Sequence, residues 1–134
     1  MATLYQLFIQ LKNLNTTLRN STLATLIDLE NEIIRRKENL DSVGFEIRQY
    51  EINLKEETPN SEIVHLFVDK DKSALENYLN SLDRLSYCIL NNYFLERDWR
   101  SEYRDVIFDI VDKKQEEFGV SSRYRNIKKL YNRW

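Results

Sequence analysis

Apolar residues return along this chain at the three- and four-residue intervals of a helix, and little interrupts them. Leu4, Leu7, Phe8, Leu11, Leu14 and Leu18 share one side of a helix predicted over 3–19. Tyr5 and Ile9, four residues apart, lie off that stripe and make a second apolar strip. The positions between them are Gln, Asn and Thr rather than Lys and Glu. Asn20-Ser21 can cap a second helix over 21–40, with Leu23, Leu26, Ile27, Ile33, Ile34 and Leu40 facing inward. The other reading is one unbroken helix to residue 40. Gly44 offers a kink or turn. Around it Val43, Ile47, Tyr50 and Leu54 keep helical spacing. Helix is preferred to a strand over 45–52, because a lone strand would leave its backbone unpaired.

Glu57-Thr58-Pro59-Asn60-Ser61 is the clearest loop. A short apolar segment, Ile63 to Val68, and a polar turn at Asp69-Lys70-Asp71 are expected next. The best-defined helix, 72–93, sets Leu75, Leu79, Leu82, Ser86, Ile89 and Tyr93 on one face. A helix over 96–118 buries Trp99, Tyr103, Val106, Ile107, Ile110, Val111 and Phe118, and Gly119 is a ready cap. A last helix over 121–133 carries Tyr124, Ile127, Leu130 and Tyr131, with Trp134 closing the chain. One proline and two glycines in 134 residues point to an all-α fold. The expected architecture is a bundle of four to six helices with short connections in one domain, with an N-terminal half, 1–57, and a C-terminal core, 61–134.

Composition narrows the class. Apolar residues at 42% and charged residues at 31% describe a globular chain. The net charge of −2 does not suggest general binding to nucleic acid. Charge is unevenly placed, however: beyond Glu117 lie Arg123, Arg125, Lys128, Lys129 and Arg133, with no acidic residue among them. Cys88 is the only cysteine and has no internal disulfide partner. With no visible signal peptide and no long uncharged apolar run, a soluble cytoplasmic protein is expected.

Catalytic chemistry finds few footholds. His65 is the only histidine. Glu62-Ile63-Val64-His65 has the Glu-x-x-His spacing of helical di-metal sites, but those need a second such motif. One His and one Cys cannot supply a zinc shell, so neither metal nor cofactor is expected. A Cys88–His65 nucleophile pair is formally open, against an ordinary helical thiol and histidine. The Arg and His spacing of helical toxin nucleases is absent, and two glycines supply no phosphate-cradling loop. Glu56-Glu57 and Glu116-Glu117 read as solvated helix surface. No enzymatic activity is expected.

Binding features are more suggestive. Asp83, at the edge of the apolar face, has two readings, a ligand contact and the preferred structural ion pair with an arginine of the following helix such as Arg97, Arg100 or Arg104. Asn80 beside Tyr87 marks either a second edge or plain surface. Phe108 points away from Trp99, Val106 and Ile110, so its helix is either central in the bundle or in contact with another chain. The same holds for Tyr5 and Ile9. The cations Arg123, Arg125, Lys128, Lys129 and Arg133 interleave with aromatics as nucleic-acid binding would require. The preferred reading is that Tyr124, Ile127, Tyr131 and Trp134, at core spacing, dock the last helix on an acidic bundle.

The run Tyr78-Leu79-Asn80-Ser81-Leu82-Asp83-Arg84-Leu85, with the closing Trp134, resembles an uncharacterised helical family of prokaryotic and phage domains. The resemblance spans about residues 70–134. Asp83 stands where the family has Glu, and Asn92-Tyr93-Phe94-Leu95-Glu96 replaces its Gly-Leu-Ile-Asp turn. It implies an accessory protein, antiviral conflict included, and no catalytic residues. The expected function is a helical protein-interaction module that binds a protein partner or self-associates through Tyr5, Ile9 and Phe108. The alternative is nucleic-acid association through the basic tail.

Overall fold

The computed structural model describes residues 3–134, and among them there are helices and no strands. The order is α1 (Leu4–Leu54), α2 (Ser61–Leu90), α3 (Glu96–Lys113), a 3₁₀ turn (Gln115–Phe118) and α4 (Arg125–Arg133). The chain divides into two compact units, Met1–Asn31 and Glu32–Trp134.

Fewer breaks occur than the sequence suggests. Asn20-Ser21 does not start a new helix; α1 runs through it for 51 residues. Asn and Ser lower helix propensity by only a few tenths of a kcal/mol, roughly, which does not stop a helix already propagating. Gly44 sits inside α1, and a Cβ there would meet only Arg48 Nη1 at 3.7 Å. The 45–52 segment is helical, and so is Asp69-Lys70-Asp71, where no turn forms. Lys70 Nζ instead reaches Glu46 Oε2 at 2.8 Å. The loop at Pro59 is as expected. Asn60 ends it by accepting the Glu62 and Ile63 N–H groups on its side chain, an N-cap.

The chain ends its helices without glycine. Lys55 (φ 55°) and Asn92 (φ 60°) take the left-handed position after α1 and α2. Gly119 has φ −68° and ψ −176°, an extended conformation open to any residue.

Within Glu32–Trp134, the later part of α1 and all of α2 run antiparallel. Arg36 Nη1 donates to the Asn77 carbonyl at 2.7 Å, and Tyr50 packs on Phe67 with ring centroids 5.4 Å apart. Their core is completed by α3 and α4. Leu79, Leu82, Leu85 and Ile89 of α2, Ile107 and Val111 of α3, and Ile127 and Leu130 of α4 are buried where these three helices pack together. Ser81 and Ser86 are buried among them, and their hydroxyls donate back to the Tyr78 and Leu82 carbonyls at 2.6 and 2.8 Å. That bonding satisfies each hydroxyl without a partner from another helix.

Candidate protein-docking surfaces

In α1, Ile33, Leu40, Val43, Ile47, Tyr50 and Leu54 recur at three, four and seven residues, and all are buried or half-buried. Leu4, Leu7, Leu11, Leu14 and Leu18 repeat at the same three-and-four spacing. On a helical wheel drawn from the sequence, both sets fall on one face. Their fates differ. Val43 is 1% exposed, whereas the five leucines are between 45% and 86% exposed. Phe8, beside them, is exposed as well.

The start of this segment is well specified. Thr3 Oγ1 accepts the Gln6 N–H at 3.2 Å, and Gln6 Oε1 accepts the Thr3 N–H at 3.0 Å. This reciprocal capping box satisfies two otherwise orphaned donors. Its interior is less favourable, because Asn13, Asn15, Thr16, Thr17, Asn20, Ser21, Thr22 and Thr25 are mediocre helix formers. A lone helix of that composition is unstable in water, and helices of this kind draw their stability from packing an apolar face. Burying each leucine or Phe8 is worth about 1.5–3 kcal/mol, so this face carries about 10 kcal/mol of unrealised stabilisation.

The threonines of this segment are tied back to its backbone. Thr16, Thr17, Thr22 and Thr25 each donate their hydroxyl to the carbonyl four residues back, at 2.9–3.0 Å. Hydroxyls bonded this way leave methyl groups outward. Lys12 and Arg19 are the only charged residues before Asp28.

Tyr5 and Ile9 lie on the opposite side of α1 from the leucines, and they are 71% and 38% exposed. Leu23 and Ile27 fall on the same side and are exposed with them. The first part of α1 is therefore apolar on two faces. Phe108 differs: it is half-buried, with its ring 4.7 Å from that of Tyr131 and the Arg104 guanidinium 4.5 Å over it. α4 thus supplies an intramolecular partner for the aromatic that points away from the rest of α3.

The basic tail is largely engaged within its own unit. Arg123 pairs with Glu76 at 3.3 Å, Arg133 with Glu96 at 3.4 Å, and Lys128 Nζ donates to the Gly119 carbonyl at 2.8 Å. Arg125 and Lys129 are exposed. Tyr124, Ile127 and Leu130 are buried, and Trp134 Nε1 donates to Glu96 Oε1 at 3.0 Å. The Tyr124 hydroxyl is buried without a hydrogen-bond partner.

Asp83 does not pair with Arg97, Arg100 or Arg104. Its carboxylate accepts the backbone N–H groups of Asn126 and Ile127 at 3.0 and 3.1 Å, and the Asn126 side-chain amide at 2.9 Å. It is a capping group for α4 supplied from α2. Orphan N–H donors at a helix start attract a carboxylate as a guanidinium does, and the first turn of α4 supplies them here.

A groove of about 520 Å³ lies in the same unit, walled by Tyr50 and Leu54 of α1, Phe67 and Val68 of α2, and Pro59. Glu51, Asp71, Glu116 and Glu117 stand on its lining, with Lys72 and Lys114 among them. Burial, with Asp41 and Asp109 nearby, pushes the Tyr78 phenol up to about 12. Burial also raises the Cys88 thiol above its ordinary value, against the pull of Arg84, which makes the thiolate scarcer near neutrality.

The Cys88–His65 pair does not form. Both residues are on α2, separated along its axis by about 35 Å. His65 and Glu62 are exposed in the first turns of that helix. Among the described residues no three His, Cys, Asp or Glu side chains converge to hold a metal ion. Among the same residues no helix is long and apolar enough to cross a membrane. Comparison with protein-family models, curated proteins and solved structures gives no match.

Proposed function

We propose that this chain is a non-enzymatic, all-helical protein-interaction module that docks through the first part of α1. One observation carries the reading: Leu4, Leu7, Leu11, Leu14 and Leu18 form a regular seam on a capped helix and are left exposed. Water does not tolerate that face cheaply, and a helix-on-helix contact is the form of burial its spacing suits. Tyr5 and Ile9 extend the surface around the helix. Phe108, packed on Tyr131, is a weaker docking candidate than either.

The basic tail supports the nucleic-acid alternative less well, since Arg123, Lys128 and Arg133 have partners within the chain. The test is affinity capture with the full chain as bait, compared with Leu11→Glu/Leu14→Glu. Wild type should retain partner chains, its own copies included, and the variant should lose them. Equal capture by both would refute the reading.

A further inference from the structure

We infer that the occupant of the α1 leucine seam is a second copy of this chain, paired as a coiled coil over residues 4–18. The inference rests on the docking role proposed above and names the partner. The first argument is the repeat. Intervals of three and four residues, sustained from Leu4 to Leu18, match a partner helix with the same 3.5-residue period. A second copy supplies that partner with no further requirement.

The second argument is charge. Coiled coils choose foreign partners through charged residues flanking the seam. Here the flanking positions are Phe8, Gln10, Asn15 and Thr17, none of them charged. Thr17 also turns its hydroxyl back to the Asn13 carbonyl at 2.9 Å. Lys12 and Arg19 each follow a seam leucine by one residue, which places them off the seam. Identical copies therefore meet without like-charge repulsion, and a charged partner finds nothing to select it.

The third argument is extent. A seam of this length between two helices lies at the low end of specific interfaces, so association should depend on concentration in the micromolar range. Tyr5, Ile9, Leu23 and Ile27 on the opposite side give each helix a second apolar face, which favours more than two helices per assembly.

The test is sedimentation equilibrium of the full chain across about a hundredfold range of concentration, with helicity followed by circular dichroism at each step. The expected result is a mass at least double the 16.2 kDa of one chain, falling on dilution together with part of the helix signal. Leu11→Glu/Leu14→Glu should weaken association by about a hundredfold or more. Arg125→Glu/Lys129→Glu, a control at exposed positions, should leave it unchanged. Cooperative thermal unfolding of each variant verifies that Glu32–Trp134 stays folded.

A monomer at every concentration overturns the inference. If that monomer still captures a different protein through the same leucines, the docking role survives and only the partner is wrong. Oligomers that persist in Leu11→Glu/Leu14→Glu overturn the assignment of the surface. A monomer that co-sediments with phosphatidylcholine vesicles, and loses this in the same variant, assigns the face to a lipid surface and overturns the inference.

Discussion

Replacing Asp83 tests the most specific tertiary contact in the molecule. α4 is nine residues long, and its N-cap residue, Tyr124, contributes no side-chain cap bond. The carboxylate of Asp83 does that work from α2, accepting from Asn126 N, Ile127 N and Asn126 Nδ2 at 2.9–3.1 Å. Loss of an N-cap costs about 0.5–2 kcal/mol, and a hydrogen bond to a charged group about 1.5–3 kcal/mol. The three bonds share one acceptor group that is half-buried, so water recovers part of the loss. Asp83→Ala should therefore destabilise the unit by about 2–3 kcal/mol, and Asp83→Asn, which keeps an acceptor oxygen, by about 1 kcal/mol. For a unit near 100 residues the alanine change lowers Tm by roughly 10–20 °C. Urea unfolding supplies the free energies, and amide exchange should reveal faster opening of residues 126–130 before the rest. In a double-mutant cycle, Asp83→Ala should couple to Asn126→Ala and not to Arg100→Ala. A change below about 0.5 kcal/mol for Asp83→Ala would refute the capping argument, and coupling to Arg100 would restore the ion-pair reading.

Two further outcomes follow from the same geometry. Lys55 holds φ 55° at the end of α1, a conformation that costs a side-chain-bearing residue about 1 kcal/mol, so Lys55→Gly should raise stability by up to that amount in urea titration; destabilisation would mean the lysine makes an unrecognised contact. Tyr78, whose phenol is pushed up to about 12 by burial and by Asp41 and Asp109, binds its proton more tightly folded than unfolded. Its contribution is complete below pH 10 and falls by about 2 kcal/mol as pH rises from 10 to 12. Tyr78→Phe should flatten that alkaline loss in a pH series of unfolding free energies, and an unchanged slope would place the cause elsewhere.

Helix content was legible from the chain because its signal is local: spacing, and the near-absence of proline and glycine. Boundaries were less so. Asn20-Ser21 and Asp69-Lys70-Asp71 look like turns by residue type, yet neither contains a residue that stops propagation. The helices end instead where Lys55 and Asn92 accept a left-handed backbone, which side-chain chemistry announces weakly for Asn and not at all for Lys. Asp83 illustrates the same limit for tertiary contacts. Its place at the edge of the apolar face was readable from the wheel, and so was its need for a positive partner. That the partner would be the first turn of α4, some forty residues onward, depends on how α2 and α4 cross.

The proposed docking surface was half visible for a related reason. The leucines from 4 to 18 looked like core positions, and Tyr5 and Ile9 like an oddity beside them. Periodicity cannot distinguish a stripe that finds a neighbour within the chain from one that does not, because both are written with the same residues. What separates them is supply. The repeat that buries Ile33 to Leu54 lies in the same unit as α2, with Tyr50 packed on Phe67, whereas Leu4 to Leu18 stay exposed. A Thr3-x-x-Gln6 capping box at the far end makes that exposed stretch a helix rather than a frayed tail. A capped helix with a regular, exposed apolar seam and uncharged flanks is the physical basis for proposing that this molecule works through what it binds.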